Sequence, residues 1–124
     1  MRTILILFCI IPMIGCSNDN QADQVSIRLS NVSEFNFENI VVDTSTGRVS
    51  FENIASGEQT DYKTFQKAYR YAFVQLEIEG KTYTLQPIDY VGEETLKTGN
   101  YTYEIDADTT KEQYTSLSLK LVKD

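Results

Sequence analysis

From residue 25 onward, apolar and polar side chains alternate in short runs, the period of a strand that buries one face and wets the other. Val25, Ile27 and Leu29 alternate with Ser26, Arg28 and Ser30, and a second run covers Phe37 to Val42. Asp43-Thr44-Ser45-Thr46-Gly47 is turn chemistry leading into Val49 and Phe51, so these two runs predict a hairpin. After the break at Ala55-Ser56-Gly57-Glu58, the residues Ala72, Val74, Leu76 and Ile78 mark the inward face of the longest predicted strand. Glu79-Gly80-Lys81 turns the chain back into Tyr83, Leu85 and Pro87, which is the clearest hairpin signal. A loop from Ile88 to Lys97 follows, then Tyr101, Tyr103 and Ile105, then Leu117, Leu119 and Leu121. The pattern predicts an all-β domain of seven or eight strands over residues 25–124, arranged as an antiparallel β-sandwich. Thr60 to Tyr71 stays open. Its Tyr62, Phe65 and Tyr69 have spacings that fit either a strand edge or a short helical turn.

The first sixteen residues follow a different pattern. One positive charge, Arg2, precedes an unbroken apolar run from Ile4 to Gly15, which ends at Cys16 before the polar Ser17-Asn18-Asp19-Asn20. A membrane-spanning helix needs about 20 apolar residues; this run is shorter and contains Pro12, so it reads as an export signal. Met13-Ile14-Gly15-Cys16 resembles the lipobox of bacterial lipoproteins, with Met13 where that family usually has Leu. The resemblance implies cleavage after Gly15, a diacylglycerol on the Cys16 sulfur and an N-acyl chain on its amino group. It also implies residence in the cell envelope, at the outer membrane of a Gram-negative bacterium. A single acyl chain holds a protein only marginally, whereas two or more hold it firmly. The expected organisation is therefore a signal peptide over residues 1–15, a flexible tether over 16–24 and the β domain over 25–124.

Composition narrows the chemistry. Eighteen Asp and Glu against eleven Lys and Arg give a net charge of −7, which repels nucleic acid and anionic lipid headgroups. Nucleic acid is thus excluded as an expected partner, and membrane residence rests on the lipid. The chain has no His and no Trp, and of its two cysteines Cys9 leaves with the signal and Cys16 takes the lipid. Disulfides and the common Zn and Fe ligand sets fall away, so stability rests on packing. No cofactor beyond the covalent lipid is expected.

A nucleophile would need a neighbouring base, and neither G-x-S-x-G, S-x-x-K nor a phosphate loop occurs, so no catalytic residue is assigned. Asp89, Glu93, Glu94, Asp106 and Asp108 include enough carboxylates for a glycosidase pair, but sequence spacing does not establish the required separation. Asp106-Ala107-Asp108 offers two oxygen ligands without the glycine and glutamate of an EF-hand, and reads first as solvated charge.

Two stretches are candidate binding surfaces. The loop with Asp89, Tyr90, Glu93 and Glu94 mixes an aromatic ring, apolar side chains and acids between predicted strands, where recognition commonly sits. Tyr62, Tyr69 and Tyr71, beside Lys63, Lys67 and Arg70, suggest an aromatic face for sugar or protein. Finally, Leu96-Lys97-Thr98-Gly99-Asn100-Tyr101 resembles the tyrosine corner of Greek-key β proteins, with Leu96, Gly99 and Tyr101 in the structural positions. Together with the strand that follows, it looks like the closing part of immunoglobulin-like and transthyretin-like bacterial surface domains, implying a Greek-key sandwich. The expected function is a lipid-anchored, non-enzymatic binding or accessory module for an envelope protein or glycan. The alternatives are a carbohydrate-binding or carbohydrate-hydrolase component, and an inhibitor or immunity-type protein.

Overall fold

The computed structural model describes residues 24–124; the expected signal peptide, Cys16 and all of the tether except Gln24 lie outside them. Eight strands form in the described residues: β1 Val25–Asn31, β2 Glu38–Asp43, β3 Arg48–Phe51, β4 Lys63–Phe65, β5 Phe73–Ile78, β6 Lys81–Leu85, β7 Gly99–Ala107 and β8 Leu117–Lys123. They make two four-stranded sheets, ordered β4-β1-β7-β8 and β3-β2-β5-β6, with no helix among the described residues. The alternation in the sequence maps directly onto the packing. Val25, Ile27 and Leu29 from one sheet and Val42, Val74, Leu76 and Ile78 from the other are buried in a shared core with Phe37, Ile40, Tyr101, Tyr103 and Ile105.

The expectation of a purely antiparallel sandwich needs correction, because β1 runs parallel to β7 over seven residue pairs, from Val25↔Gly99 to Asn31↔Ile105. All the other pairings are antiparallel. Parallel neighbours require a long crossover. Here the chain leaves β1 at Asn31, builds the whole second sheet, and returns at Gly99. Alternation has the same period in either direction and carries no sign of this.

The hairpin turns form as their residues dictate. Asp43 Oδ1 accepts the Ser45 N–H at 2.8 Å and closes the β2–β3 turn. Glu79 and Gly80 have φ of 51° and 80°, both left-handed, in a two-residue connection whose twist matches the flanking strands. Of the open segment Thr60 to Tyr71, only Lys63–Phe65 is a strand and the remainder is irregular rather than helical. Asn31 organises the turn after β1. Its buried amide donates to Phe35 O (2.6 Å) and Ile54 O (3.3 Å), and its Oδ1 accepts from the Ser33 N–H (2.9 Å) and hydroxyl (2.6 Å).

Candidate functional site

The long connection between β6 and β7, residues 86–98, lies at one end of the sandwich and is fixed there by aromatic rings. Tyr90 turns back from the loop and stacks on Tyr69, with centroids 4.4 Å apart and planes at 14°. On Tyr71 it stacks at 5.7 Å and 16°. Offset stacking of this kind adds about 0.5–1.5 kcal/mol per pair beyond the area buried. Tyr69 is itself anchored, since the buried Tyr103 hydroxyl donates to its carbonyl at 2.6 Å. Burial pushes the Tyr103 phenol well above its ordinary range, and burial likewise raises those of Tyr90 and Tyr71, with Glu93 adding to the latter.

The loop's polar groups hold its shape. Asp89 Oδ1 accepts the Val91 N–H at 3.0 Å, and the Tyr71 hydroxyl donates to the Asp89 carbonyl at 3.3 Å. The Glu93 N–H donates to Tyr90 O at 3.1 Å, and Glu93 Oε1 lies 3.9 Å from Arg70. Glu94 is exposed. The Leu96 N–H donates to Ala68 O at 2.8 Å, fastening the base of the loop to the segment that carries Tyr69. The Tyr101 hydroxyl reaches back to Lys97 O at 2.8 Å, four residues upstream, with Gly99 opening the strand between them. With its ends and middle tied, the loop presents Ile88 and Val91 to solvent at 101% and 88% exposure. These two side chains are the least expected feature of the site, and their only trace in the sequence is two apolar residues flanking an aromatic in an acidic loop.

The structure divides the expected aromatic face. Tyr69 and Tyr71 join Tyr90, but Tyr69 is only 6% exposed and one ring face is covered by Tyr90, so it offers no platform. Tyr71 remains half-buried beside Arg70, with the guanidinium carbon 5.9 Å from its ring centre. Tyr62 belongs elsewhere, on the outer face of the first sheet. Its hydroxyl donates to Asp124 Oδ2 at 2.5 Å, and the Arg28 guanidinium carbon lies 4.9 Å from its ring centre. The register explains the separation: Lys63 faces Ile27, which is inward, so the neighbouring Tyr62 projects outward beside Arg28. Thr102 Oγ1 also donates to Asp124 Oδ2 (2.7 Å) and accepts from Arg28 Nε (3.0 Å). The Tyr62 hydroxyl, followed by Thr102 and Arg28, holds the Asp124 carboxyl below its usual range.

Asp106 and Asp108 are locally engaged. Asp106 Oδ1 accepts the Ala107 N–H at 2.8 Å, and Asp108 Oδ1 accepts both the Thr110 N–H (3.0 Å) and hydroxyl (2.5 Å), which lowers the Asp108 pKa. Among the described residues no group of three Asp, Glu, His or Cys side chains is placed to hold a metal ion.

No protein-family model and no curated protein matches the chain. Among solved structures it is similar to an NMR structure of a protein from Eubacterium rectale, at 17% identity and a TM-score of 0.50, over 86% of this chain and 94% of that one. At that identity the likeness concerns the all-β fold alone.

Proposed function

We propose that this chain is a lipid-anchored, non-enzymatic binding module of a bacterial cell envelope. In this reading the signal is cut after Gly15, acyl chains on Cys16 hold the protein at the outer membrane, and residues 16–24 tether the domain. The lipobox-like Met13-Ile14-Gly15-Cys16 supports the address. The Tyr101 hydroxyl on Lys97 O supports a Greek-key connectivity of the immunoglobulin-like or transthyretin-like kind.

One observation carries the binding role: Ile88 and Val91 stand fully in water on a loop held by the Tyr69–Tyr90–Tyr71 stack. A single exposed apolar residue needs no explanation. Two on one pinned loop make a pre-organised contact whose ordering cost is met before a partner arrives. Tethering then raises the effective concentration of that contact near envelope partners. A glycan is the second reading, favoured by the half-buried Tyr71 ring with Arg70 and Glu93 beside it.

The test is metabolic labelling with a palmitate analogue, followed by capture of envelope components on the purified protein. Label that disappears in Cys16→Ala, and capture that is lost in Ile88→Ser/Val91→Ser, support the proposal. Protease treatment of the extract separates the two readings, since a protein partner is destroyed and a glycan is not. An unlabelled wild type defeats the address, and capture indifferent to residues 88 and 91 defeats the binding face.

A further inference from the structure

β8 is an edge strand: β7 pairs with it along Tyr101–Ala107, and among the described residues no strand is hydrogen-bonded to its other side. The Asp124 N–H donates to Asn100 O at 3.0 Å, and the Asp108 N–H to Ser116 O at 2.9 Å, so the even-numbered residues are the ones bonded across this ladder. In an antiparallel pair the backbone groups alternate between the partner and the outside. Leu117, Leu119, Leu121 and Lys123 therefore aim their N–H and C=O groups away from β7. The other edges are shorter or covered. β4 has three residues and β3 four, while the β6 edge is capped where the Thr84 N–H donates to Gln113 O at 3.0 Å.

Beside the open half of β8 runs a groove of about 440 Å³ lined by Arg70, Tyr71, Leu119, Lys120 and Leu121. It continues, past Arg70 and Leu121, into a second of about 460 Å³ against Glu93, Leu96 and Lys97. Leu119 and Leu121 are only half-buried, although β6 of the second sheet approaches β8. Basic side chains gather along the strand although the molecule is acidic overall, with Glu93 and Glu94 on the wall of the second groove. Lys120 and Lys123 lie on the strand and Lys97 on the wall, and the ion pairs among the described residues, Arg28–Asp124 and Arg70–Glu93, involve none of them. Glu104 faces Lys120 across the ladder without closing an ion pair. A second copy of this edge would set lysines against lysines, which is how edge strands avoid one another.

We propose that β8 is a strand-accepting edge for an extended segment of a partner protein, apolar at the positions opposite Leu119 and Leu121 and acidic opposite Lys120 and Lys123. Main-chain hydrogen bonds to residues 119, 121 and 123 supply the affinity, and the alternate side chains supply the selectivity. The proposal rests on the reading of the domain as a binding module.

The experiment uses the full chain in detergent micelles with two capped peptides, Glu-Thr-Val-Glu-Val-Thr and its counterpart with Lys in place of Glu. The acidic peptide binds about fivefold tighter, from two favourable cross-strand charge pairs. It slows amide exchange over Leu119–Lys123 and leaves Lys81–Leu85 unchanged. Lys120→Glu, a surface change that leaves the core untouched, abolishes the preference, because each peptide then makes one favourable and one unfavourable pair. Equal binding of both peptides to the wild-type chain, protection elsewhere than β8, or a preference indifferent to Lys120→Glu overturns the proposal. If β8 stays silent while capture still depends on Ile88 and Val91, this inference alone fails; if both are silent, the binding-module reading falls with it.

Discussion

Tyr90 and Tyr69, twenty-one positions apart in the chain, lie ring on ring at 4.4 Å, and this stack converts a thirteen-residue connection into a fixed end of the sandwich. The loop's conformation depends on that contact more than on its own turns, because Asp89 and Glu93 organise only the few residues beside them. Tyr90→Ala therefore lowers unfolding stability by about 2 kcal/mol, combining lost stacking with lost burial. Tyr90→Phe costs less, about 0.5–1 kcal/mol, since the hydroxyl meets the Phe73 backbone and reaches Asp43 O only at 3.5 Å, the limit of a hydrogen bond. Urea denaturation measures both, and amide exchange over residues 88–94 rises in the alanine variant alone.

Tyr103 sets a limit in alkali. Its phenol is buried and its pKa raised above the ordinary 10.0, so the folded state holds this proton more tightly than the unfolded chain does. Stability from this group is complete below about pH 10 and falls as pH rises beyond the unfolded value. Tyr62, Tyr71 and Tyr90 are raised as well and add with the same sign. Tyr103→Phe costs about 1 kcal/mol at neutral pH through the lost bond to Tyr69 O. It also makes stability fall less steeply than wild type between pH 10 and 12, as read from denaturation curves across that range.

Asn31 is the polar keystone of the turn after β1. Replacing it by Ala removes four hydrogen bonds and leaves the Phe35 and Ile54 carbonyls without that donor in a buried setting. The expected loss is about 3 kcal/mol, at the upper end for a point change, and Asn31→Asp is also destabilising because a carboxylate cannot donate to those carbonyls. Thermal unfolding of the two variants checks this, and wild-type-like melting of Asn31→Ala contradicts it.

Much of the fold is legible in the alternation. Val25, Ile27 and Leu29 read as an inward face and are one, as are Val74, Leu76 and Ile78, and the turn at Glu79-Gly80 falls between its strands as its chemistry requires. Strand direction is not legible in the same way: β1 beside β7 has the same side-chain period whether parallel or antiparallel, and the choice follows from a long excursion through the other sheet. The candidate site shows the same boundary. Tyr90 could be singled out from its loop, and Tyr69 and Tyr71 from their cluster, but nothing local says that the two groups meet. Tyr62 groups with its neighbours by proximity in sequence, but strand geometry sends it to the outer face of the first sheet, where it meets Arg28 and Asp124. Those partners come from two distant segments and leave no common signal.

The central claim is that Ile88 and Val91 form the contact end of an envelope-held domain, and photo-crosslinking in living cells addresses it directly. A photoreactive residue is placed at position 88, 91 or, as a control, at Lys81, the exposed first residue of β6. The account predicts a discrete adduct from positions 88 and 91, none from 81, and loss of the adducts when Cys16→Ala releases the protein from the membrane. Adducts equally strong from all three positions, or none from 88 and 91 in correctly localised protein, contradict it.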